Sequence, residues 1–354
     1  MQLTMSENEN PLVIAVTGLN AIDSPGPGVA VIRAIRDGSD RPVRIIGLAY
    51  ENLEPGIYMD GICDKTYQIS YPAAGAEVLF NSIKHIHDKE KIDVVIPNFD
   101  AELYNFITIA PRLKALGIHS FLPDLDMFDA RDKLNLYAFG QKHQLLVPKD
   151  KVIYSVNNLA GVSEDLGYPL VVKGKFYDAV VAHTLEQAQK AFYKISAKWG
   201  FPIIVQQFIN GTEINIAALG DGEGNATSII PMRKMYITEK GKAWAGITLE
   251  DDALIDLAKK FIEATKWRGG FEMELMKTDQ GELYIMEINP RFPAWIYLSA
   301  GAGQNQPAAL VKMALGKKVG PFITYDVGKL FIRYSWDMIV DLSRFQHFSA
   351  FGNL

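Results

Sequence analysis

The sequence lacks most features of extracellular, membrane-spanning and nucleic-acid-binding proteins. Cys63 is the only cysteine among 354 residues, which rules out an internal disulfide and a thiolate metal cluster. No apolar run approaches the roughly 20 residues needed to span a bilayer, and the polar, acidic first residues do not resemble a signal peptide. The formal net charge of −5 argues against a broad nucleic-acid interface. We therefore expect a cytoplasmic protein with no membrane or nucleic-acid partner.

Two common catalytic signatures are missing as well. The loop after the first predicted strand lacks the GxGxxG pattern, because Pro27 separates Gly26 from Gly28. The six histidines show no metal-ligand spacing such as HExxH. Binding of a dinucleotide and zinc-dependent hydrolysis are therefore disfavoured.

The composition is that of a folded protein with a sizeable core. Hydrophobic residues make up 48% of the chain and charged residues 22%. This length is typical of two or three domains. Residues 1–10 are predicted to form a flexible leader.

Strands and helices alternate in the first 125 residues, a pattern that favours a parallel sheet. We predict strands at Leu12–Val16, Val43–Leu48 and Asp93–Pro97, a helix at Val78–His87, and the start of a short strand at Phe121–Leu122. Asp100 and Glu102 follow the third strand, at the sheet edge where open α/β sheets bind ligands. They are candidate substrate contacts, although capping of the following helix is an equally good interpretation.

A second region, from about Asp126, mixes helices with further strands. Its predicted elements are a helix at Ala130–Lys142, with Lys133 in its first half; strands at Val152–Tyr154, Pro169–Lys173, Pro202–Phe208, Thr212–Leu219 and Ile229–Tyr236; helices at Leu159–Leu166, Leu185–Ile195, Asp252–Thr265 and Pro307–Gly316; and a last strand at Lys329–Ser335.

Two alternating runs, Phe271–Met276 and Glu282–Ile288, predict a hairpin with a polar turn between them. If the strands pair, Glu274 and Glu287 can bind one hard cation, with Asn289 as a further oxygen ligand. A solvated acidic face is the ordinary alternative. The apolar neighbours of Glu287 favour function, since an unpaired carboxylate is costly in such a strand.

These segments together resemble the ATP-grasp superfamily. The resemblance rests on Lys133 in DARDKLN, Lys173 in GYPLVVK, the segment VQQFINGTE, and Glu274 followed by EINPR at Glu287–Arg291. It is strongest to the group of the carbamoyl-phosphate synthetase large subunit, biotin carboxylase and carboxylate–amine ligases, and it covers roughly residues 126–320.

The fold that this resemblance implies combines α/β and α+β parts. A Rossmann-like parallel-sheet domain precedes a two-subdomain ATP-grasp module that holds a nucleotide. The predicted parts are a leader at 1–10, the N-terminal domain at 11–125, the small subdomain at 126–205, the C-terminal subdomain with the metal site at 206–328, and a strand and tail at 329–354.

The resemblance also implies a role for each matching residue. Lys133 and Lys173 would neutralise phosphate charge, with Lys175 covering the phosphates. The hinge along the adenine would be formed by Gln206, Gln207, Phe208 and Ile209, and Glu213 would bind the ribose hydroxyls. One or two Mg²⁺ ions, or Mn²⁺ in their place, would be held by Glu274, Glu287 and Asn289. Lys234, together with Arg233, would face the γ-phosphate or the acyl-phosphate. Arg291 would bind the substrate carboxylate.

The implied function is that of an ATP-dependent carboxylate–amine ligase that forms an amide through an acyl-phosphate. The substrate would be an amino acid, a peptide or a peptide-like metabolite, with an amine as acceptor, and a homodimer is compatible with the sequence. A bicarbonate-activating carboxylase or carbamoyl-phosphate-type enzyme is the alternative within the superfamily.

One segment departs from the family pattern. Relatives carry a glycine-rich loop after the second lysine, whereas Gly174–Val180 has a single glycine. This departure keeps open a second alternative, a nucleotide-binding scaffold without turnover.

Overall fold

The computed structural model describes residues 10–22, 25–175, 178–238 and 241–354. The chain forms two units. Unit 1 consists of the described residues of Met1–Phe128, Asn215–Glu272 and Asn289–Leu354, and unit 2 of those of Asp129–Ile214 and Met273–Ile288. The predicted domain boundaries stay a prediction. Across the described residues, no helix combines the length and apolar character that crossing a membrane requires.

The first segment alternates strands with helices, as the sequence predicts. Its elements are β1 (Leu12–Val16), α1 (Gly28–Gly38), β2 (Val43–Ala49), β3 (Lys65–Gln68), α2 (Ala76–Glu90), β4 (Val94–Ile96), α3 (Asp100–Ala115) and α4 (Leu125–Ala130), with short 3-10 turns at Pro55–Ile57 and Pro72–Ala74.

The middle of the chain follows with elements that belong mostly to unit 2. They are α5 (Leu136–His143), β5 (Asp150–Ile153), a 3-10 turn (Val156–Asn158), α6 (Leu159–Leu166), β6 (Leu170–Gly174), β7 (Ala179–Ala182), α7 (Leu185–Trp199), β8 (Ile203–Gln207) and β9 (Thr212–Asp221).

The last part of the chain begins with the long strand β10. Its elements are β10 (Ala226–Ile237), β11 (Ala243–Thr248), α8 (Asp252–Thr265), β12 (Arg268–Lys277), β13 (Leu283–Asn289), α9 (Tyr297–Gly301), α10 (Gln306–Ala314), β14 (Leu330–Ile332) and α11 (Leu342–Phe351).

Unit 1 contains a four-stranded sheet in the order β3-β2-β1-β4. All its pairings are parallel, for example Leu12 with Val43 and Ile14 with Val94. The strands β1, β2 and β4 are almost entirely buried, as continuous apolar runs predict for a sheet covered on both faces. Odd and even positions of β1 belong to two different apolar clusters, which confirms the Rossmann-like prediction.

The end of the described chain pairs with the edge of this sheet. The N–H of Leu354 donates to the carbonyl of Thr66 at 3.1 Å, and the N–H of Gln68 donates to the carbonyl of Gly352 at 2.7 Å. Phe348, on α11, is fully buried in the unit 1 core and anchors the helix beside β3.

A second sheet has six strands in the order β13-β12-β9-β10-β11-β14. In unit 1, β10 and β11 pair antiparallel from Met232 with Thr248 to Ile237 with Ala243. The strand β14 pairs antiparallel with β11, placing Ile332 opposite Ala245, and it lies at one edge of the sheet.

Unit 2 has its own four-stranded antiparallel sheet, in the order β5-β8-β6-β7. One face of β6 and β8 packs on α6 and α7, with Leu170, Val172 and Phe192 in the core. The helix α7 begins where the hydroxyl of Thr184 accepts from the N–H of Gln187.

Four sequence expectations about local structure are wrong. The predicted helix Ala130–Lys142 is helical only from Leu136, in α5, because α4 ends at Ala130; Lys133 therefore lies in the turn between two helices. Asp132 Oδ1 accepts from the N–H of Leu134 at 3.0 Å, and Asn135 Nδ2 donates to the carbonyl of Asp129 at 2.9 Å. Such local side-chain bonds compete with the helical pattern.

The other three differences concern strands. Residues 121–122 start no strand, because the parallel bridge to Val94 is made earlier, by His119. The last strand is only Leu330–Ile332, shorter than predicted. The basic segment Lys240–Ala245, which the sequence makes a candidate mobile loop that could meet a carboxylate or phosphate, runs into β11 from Ala243 onward, while Lys240 lies outside the described residues.

Candidate functional site

A salt bridge in unit 2 joins two residues that the sequence assigns to nucleotide and metal binding. Lys133 Nζ lies 3.4 Å from Glu287 Oε1, and the two side chains are 27% and 34% exposed. The turn after α4 brings the lysine to β13, whose alternation sets the direction of Glu287. The pair is therefore accessible to a ligand.

Lys173 lies on β6 beside this pair. Burial lowers the pKa of Lys173, whereas the charges of Glu287, Glu274 and Asp150 act to raise it. The positive charge of Lys133 lowers it further. Two lysines and three carboxylates therefore interact within unit 2, so each cation has an anion to balance it. Phosphate oxygens entering this cluster would find compact positive charges already in place.

Asp150, at the start of β5, is a member of this cluster that the sequence did not indicate. Burial raises the pKa of Asp150 to about 6, against the opposing charges of Lys173 and Lys151. It pairs in register with Gln206 of β8. Gln206 is only 4% exposed, and its buried Oε1 has no hydrogen-bond donor among the described residues.

The predicted hinge begins at the end of β8 and continues to β9. The N–H of Gln207 donates to the carbonyl of Lys149 at 2.8 Å, and Gln207 Oε1 accepts from the N–H of Lys149 at 3.3 Å. Ile209 is buried, and Phe208 is half-buried. At Gly211 a Cβ would meet the carbonyl oxygen of Lys277 at 2.3 Å, so this turn requires glycine.

Glu213 and Lys175, the remaining nucleotide-binding predictions, are half-buried in unit 2. Of the glycine-poor loop, Phe176 and Tyr177 lie outside the described residues. Asp178 Oδ2 accepts from Lys198 Nζ at 2.9 Å and from Trp199 Nε1 at 2.8 Å. These two bonds fix the far end of the loop to α7.

Unit 1 contains a second polar cluster, centred on the buried Glu272. Its Oε1 accepts from Asn215 Nδ2 at 2.9 Å and from Trp295 Nε1 at 2.8 Å. Its Oε2 accepts from Asn289 Nδ2 at 3.2 Å and from Arg291 Nη1 at 3.3 Å. The charge of this carboxylate is therefore matched by one guanidinium and three neutral donors.

Arg291, predicted to bind the substrate carboxylate, is positioned by two protein carboxylates. Its Nε donates to Asp100 Oδ2 at 3.1 Å, in addition to the bond from Nη1 to Glu272. Asp100 is thus part of the second cluster, and its role as a substrate contact stays a prediction. The side chain of Asp100 is 42% exposed, whereas that of Arg291 is 12% exposed.

Glu102 caps the N-terminus of α3, which is the second of the two sequence interpretations. It is fully buried and accepts from the N–H groups of Asn98 and Phe99 at 2.7 and 3.0 Å, within the capping box that begins α3. The hydroxyls of Thr17 and Tyr50 also donate to it. Burial raises the pKa of Glu102, and these bonds oppose that effect.

Lys234 lies on β10 in unit 1, where its Nζ donates to the carbonyl of Gly241 at 3.3 Å. The neighbouring Arg233 is exposed. Trp295 contacts Glu272, whereas Tyr297 donates to Asp37 and stacks under the Arg33 guanidinium at 4.1 Å. The contacts of Tyr297 with Asp37 and Arg33 join α9 to α1.

The structure therefore brings together four of the predicted residues in unit 2 and two in unit 1. The first group is Lys133, Lys173, Glu274 and Glu287, and the second is Asn289 and Arg291. The sequence assigned Glu274 to the metal site and gave Glu272, on the same strand, no role. It is Glu272 that contacts Asn289.

The donor set of unit 2 fits a magnesium ion that binds with a nucleotide. Within the described ranges, no group of three or more His, Cys, Asp or Glu side chains could hold a metal ion alone. Mg²⁺ commonly uses only one or two protein carboxylates and takes its remaining ligands from phosphates and water. Glu274 and Glu287 can supply those carboxylates.

Parts of the chain are similar to a family model and to proteins named as a synthase and a ligase. The family model described as ATP-grasp in the biosynthetic pathway with Ter operon matches residues 201–329. The carbamoyl phosphate synthase large chain of Clostridium botulinum (strain Kyoto / Type A2) is 26% identical over 263 residues, which cover 70% of this chain and 24% of that protein. The D-alanine--D-alanine ligase of Pseudomonas entomophila (strain L48) is 25% identical over 173 residues, 45% of this chain and 54% of that one.

Among solved structures, a biotin carboxylase–β,γ-ATP complex from Campylobacter jejuni superposes with a TM-score of 0.70 at 15% identity, covering 89% of this chain and 73% of that chain. The fold is that of the ATP-grasp enzymes. The family-model match and these relatives agree with the resemblance to the ATP-grasp superfamily that the motifs carry. The chain spans about a quarter of the length of the synthase large chains and about half that of the ligase.

Proposed function

We propose that the protein is an ATP-dependent carboxylate–amine ligase acting on an amino acid, a peptide or a peptide-like metabolite. The observation that carries this proposal is the unit 2 cluster of Lys133, Lys173, Glu274 and Glu287. A metal–polyphosphate complex carries both a cation and anionic oxygens. It therefore suits a cluster that has carboxylates for the metal and lysines for the phosphates. The relatives named as ligases and synthases support the same reaction class.

The residues of this chain have separate tasks in the proposed reaction. Lys133 and Lys173, with Lys175, hold the phosphates. The segment Gln206–Ile209 reads the adenine edge, where the buried Gln206 Oε1 can accept a hydrogen bond from the base. Glu213 accepts from the ribose hydroxyls. Mg²⁺, held by Glu274 and Glu287, would neutralise charge on the transferred phosphoryl group. Asn289 as a further ligand stays a prediction.

The proposed chemistry overcomes the poor electrophilicity of a carboxylate. A substrate carboxylate oxygen bonds to the γ-phosphorus as the bond to ADP breaks, which gives an acyl-phosphate and ADP. The amine then attacks the carbonyl carbon, phosphate leaves, and the amine loses a proton. Arg291 holds the substrate carboxylate, and Lys234 stabilises the phosphate of the intermediate.

An ADP-release assay tests the proposal with separate pools of amino acids, dipeptides and bicarbonate. We expect ADP formation that requires both a carboxylate and an amine. Glu287→Gln should abolish it, whereas Glu282→Gln, an exposed position of the same hairpin, should not. ADP formation with bicarbonate alone would support the carboxylase alternative. Tight ATP binding without ADP from any pool would contradict a ligase and support the scaffold alternative.

A further inference from the structure

The strand β14 is an open sheet edge in unit 1. The N–H of Arg333 donates to the carbonyl of Trp244, and the N–H of Thr248 donates to the carbonyl of Lys329. The backbone N–H and C=O groups of the odd-numbered residues of this segment therefore point toward β11. By the alternation of an antiparallel ladder, the N–H and C=O groups of Leu330 and Ile332 point away from β11. Within the described ranges, no further strand pairs with β14.

Every second residue of β14 and of the segment that follows it, as far as Trp336, presents a large apolar side chain to solvent. Leu330, Ile332, Tyr334 and Trp336 are 46%, 66%, 77% and 85% exposed. The rings of Tyr334 and Trp336 are in edge contact at 6.4 Å, so these two side chains lie on one side of the segment. Natural proteins usually blunt or cover a hydrophobic sheet edge, and an uncovered one marks an interaction surface.

We propose that a second copy of this chain covers this edge by pairing its β14 segment antiparallel to the first. A two-fold axis at Arg333 aligns the outward-facing backbone groups of the two copies. It places Ile332 opposite Tyr334 of the other copy and Leu330 opposite Trp336. Aliphatic–aromatic pairs of this kind stabilise neighbouring strands.

Charge complementarity selects this register over its neighbours. With the axis at Arg333, Lys329 of each copy lies opposite Asp337 of the other. Within its own copy Lys329 Nζ lies 3.1 Å from Asp326 Oδ2, so Asp337 of the other copy would join or compete with Asp326. Shifting the axis by one residue in either direction places Lys329 opposite Ser335 or Ile339 instead. This axis also places the Arg333 residues of the two copies opposite each other. Arg333 is half-buried, however, and the carboxylate of Glu272 attracts its guanidinium inward, away from the other copy.

The exposed apolar side chains of this edge supply part of the area that a stable dimer needs. The rings of Tyr334 and Trp336 alone supply roughly 300 Å² per copy, since a buried aromatic side chain covers 150–250 Å². Leu330, Ile332 and the neighbouring Ile339, which is 94% exposed, add to this area. A standard interface buries about 800 Å² per partner.

Analytical ultracentrifugation of the full chain over a concentration series tests the proposal. We expect a dimer. Ile332→Pro should raise its dissociation constant at least about tenfold, because it removes an outward N–H from each copy. Edge strands tolerate proline at such positions, so the monomer should keep its fold. Ile323→Pro, at an 85% exposed position outside the strand, is the matched control and should leave the dimer intact.

A charge exchange then tests the register. Lys329→Asp and Asp337→Lys should each weaken the dimer, and the double variant should restore it because the opposite charges face each other again. Circular dichroism and thermal melting should show an unchanged fold for every variant. A monomer at all concentrations, or a dimer insensitive to Ile332→Pro, would overturn the proposal. Additive effects of the two charge changes would refute this register.

Discussion

Lys133 Nζ lies 3.4 Å from Glu287 Oε1, and this contact ties the turn between α4 and α5 to β13 within unit 2. Both groups remain partly exposed, so an incoming phosphate can compete with Glu287 for the lysine. Lys173, deeper in the same cluster, provides the less accessible charge.

Replacing Lys173 should weaken nucleotide binding. Lys173→Met removes a charge that interacts with three carboxylates, and we expect the affinity for Mg·ADP to fall by about 10- to 100-fold, or roughly 1.4–2.8 kcal/mol. Isothermal titration calorimetry measures the change. Lys151→Met, at a 56% exposed position of β5 in the same sheet, serves as the control. Equal affinities for the two variants would remove Lys173 from the site.

Stability should depend on pH through Asp150. Its pKa of about 6 in the folded protein exceeds the ordinary 3.8, so the folded state binds the proton more tightly. The free energy of unfolding should therefore fall as pH rises from about 4 to 6. In urea titrations, Asp150→Asn should lack this fall and gain about 1–2 kcal/mol over wild type at pH 7, after allowance for solvent screening. Asp165→Asn, at a 63% exposed side chain, should keep the wild-type dependence.

Removing the charge of Glu272 should destabilise unit 1. Glu272→Gln leaves the half-buried Arg291 with one carboxylate partner and replaces an oxygen acceptor by a donor facing other donors. We expect a loss of about 3 kcal/mol in the free energy of unfolding. Asp100→Asn, which changes the more exposed partner of Arg291, should cost less. Chemical denaturation of both variants compares the two effects, and a larger loss for Asp100→Asn would contradict this assignment.

The buried hydroxyl of Tyr50 should matter more than an exposed one. Tyr50→Phe removes a donor to the buried Glu102, and we expect a loss of about 1–3 kcal/mol. Tyr71→Phe removes a similar bond to Glu51 at the surface and should change stability by less than about 0.5 kcal/mol. Thermal unfolding of the two variants measures the difference. Similar losses would show that burial does not set the value of this bond.

Periodicity predicted much of the fold. The helices Leu159–Leu166 and Asp252–Thr265 have the bounds read from the sequence, because apolar spacing and, for the second, the cap at Asp251 mark them clearly. The interruption at 131–135 was missed, since it depends on side-chain bonds by Asp132 and Asn135 that spacing does not reveal.

The site could be predicted only in part. The motif residues Lys133, Lys173, Glu274 and Glu287 do share one cluster. Asp150 enters it through pairing of β5 with β8, which joins segments that are distant in sequence and carries no local signal. Similarly, alternation along β12 cannot tell which of Glu272 and Glu274 will bond to Asn289.

The contact of residues 352–354 with β3 bears on how the chain folds during synthesis. Thr66 and Leu354 are 288 residues apart, yet their backbones pair. While a ribosome is still making the chain, the outer edge of β3 has no strand to cover it. Translation that stalls before residues 352–354 would thus release a nascent chain with an uncovered β3 edge, a substrate for chaperones.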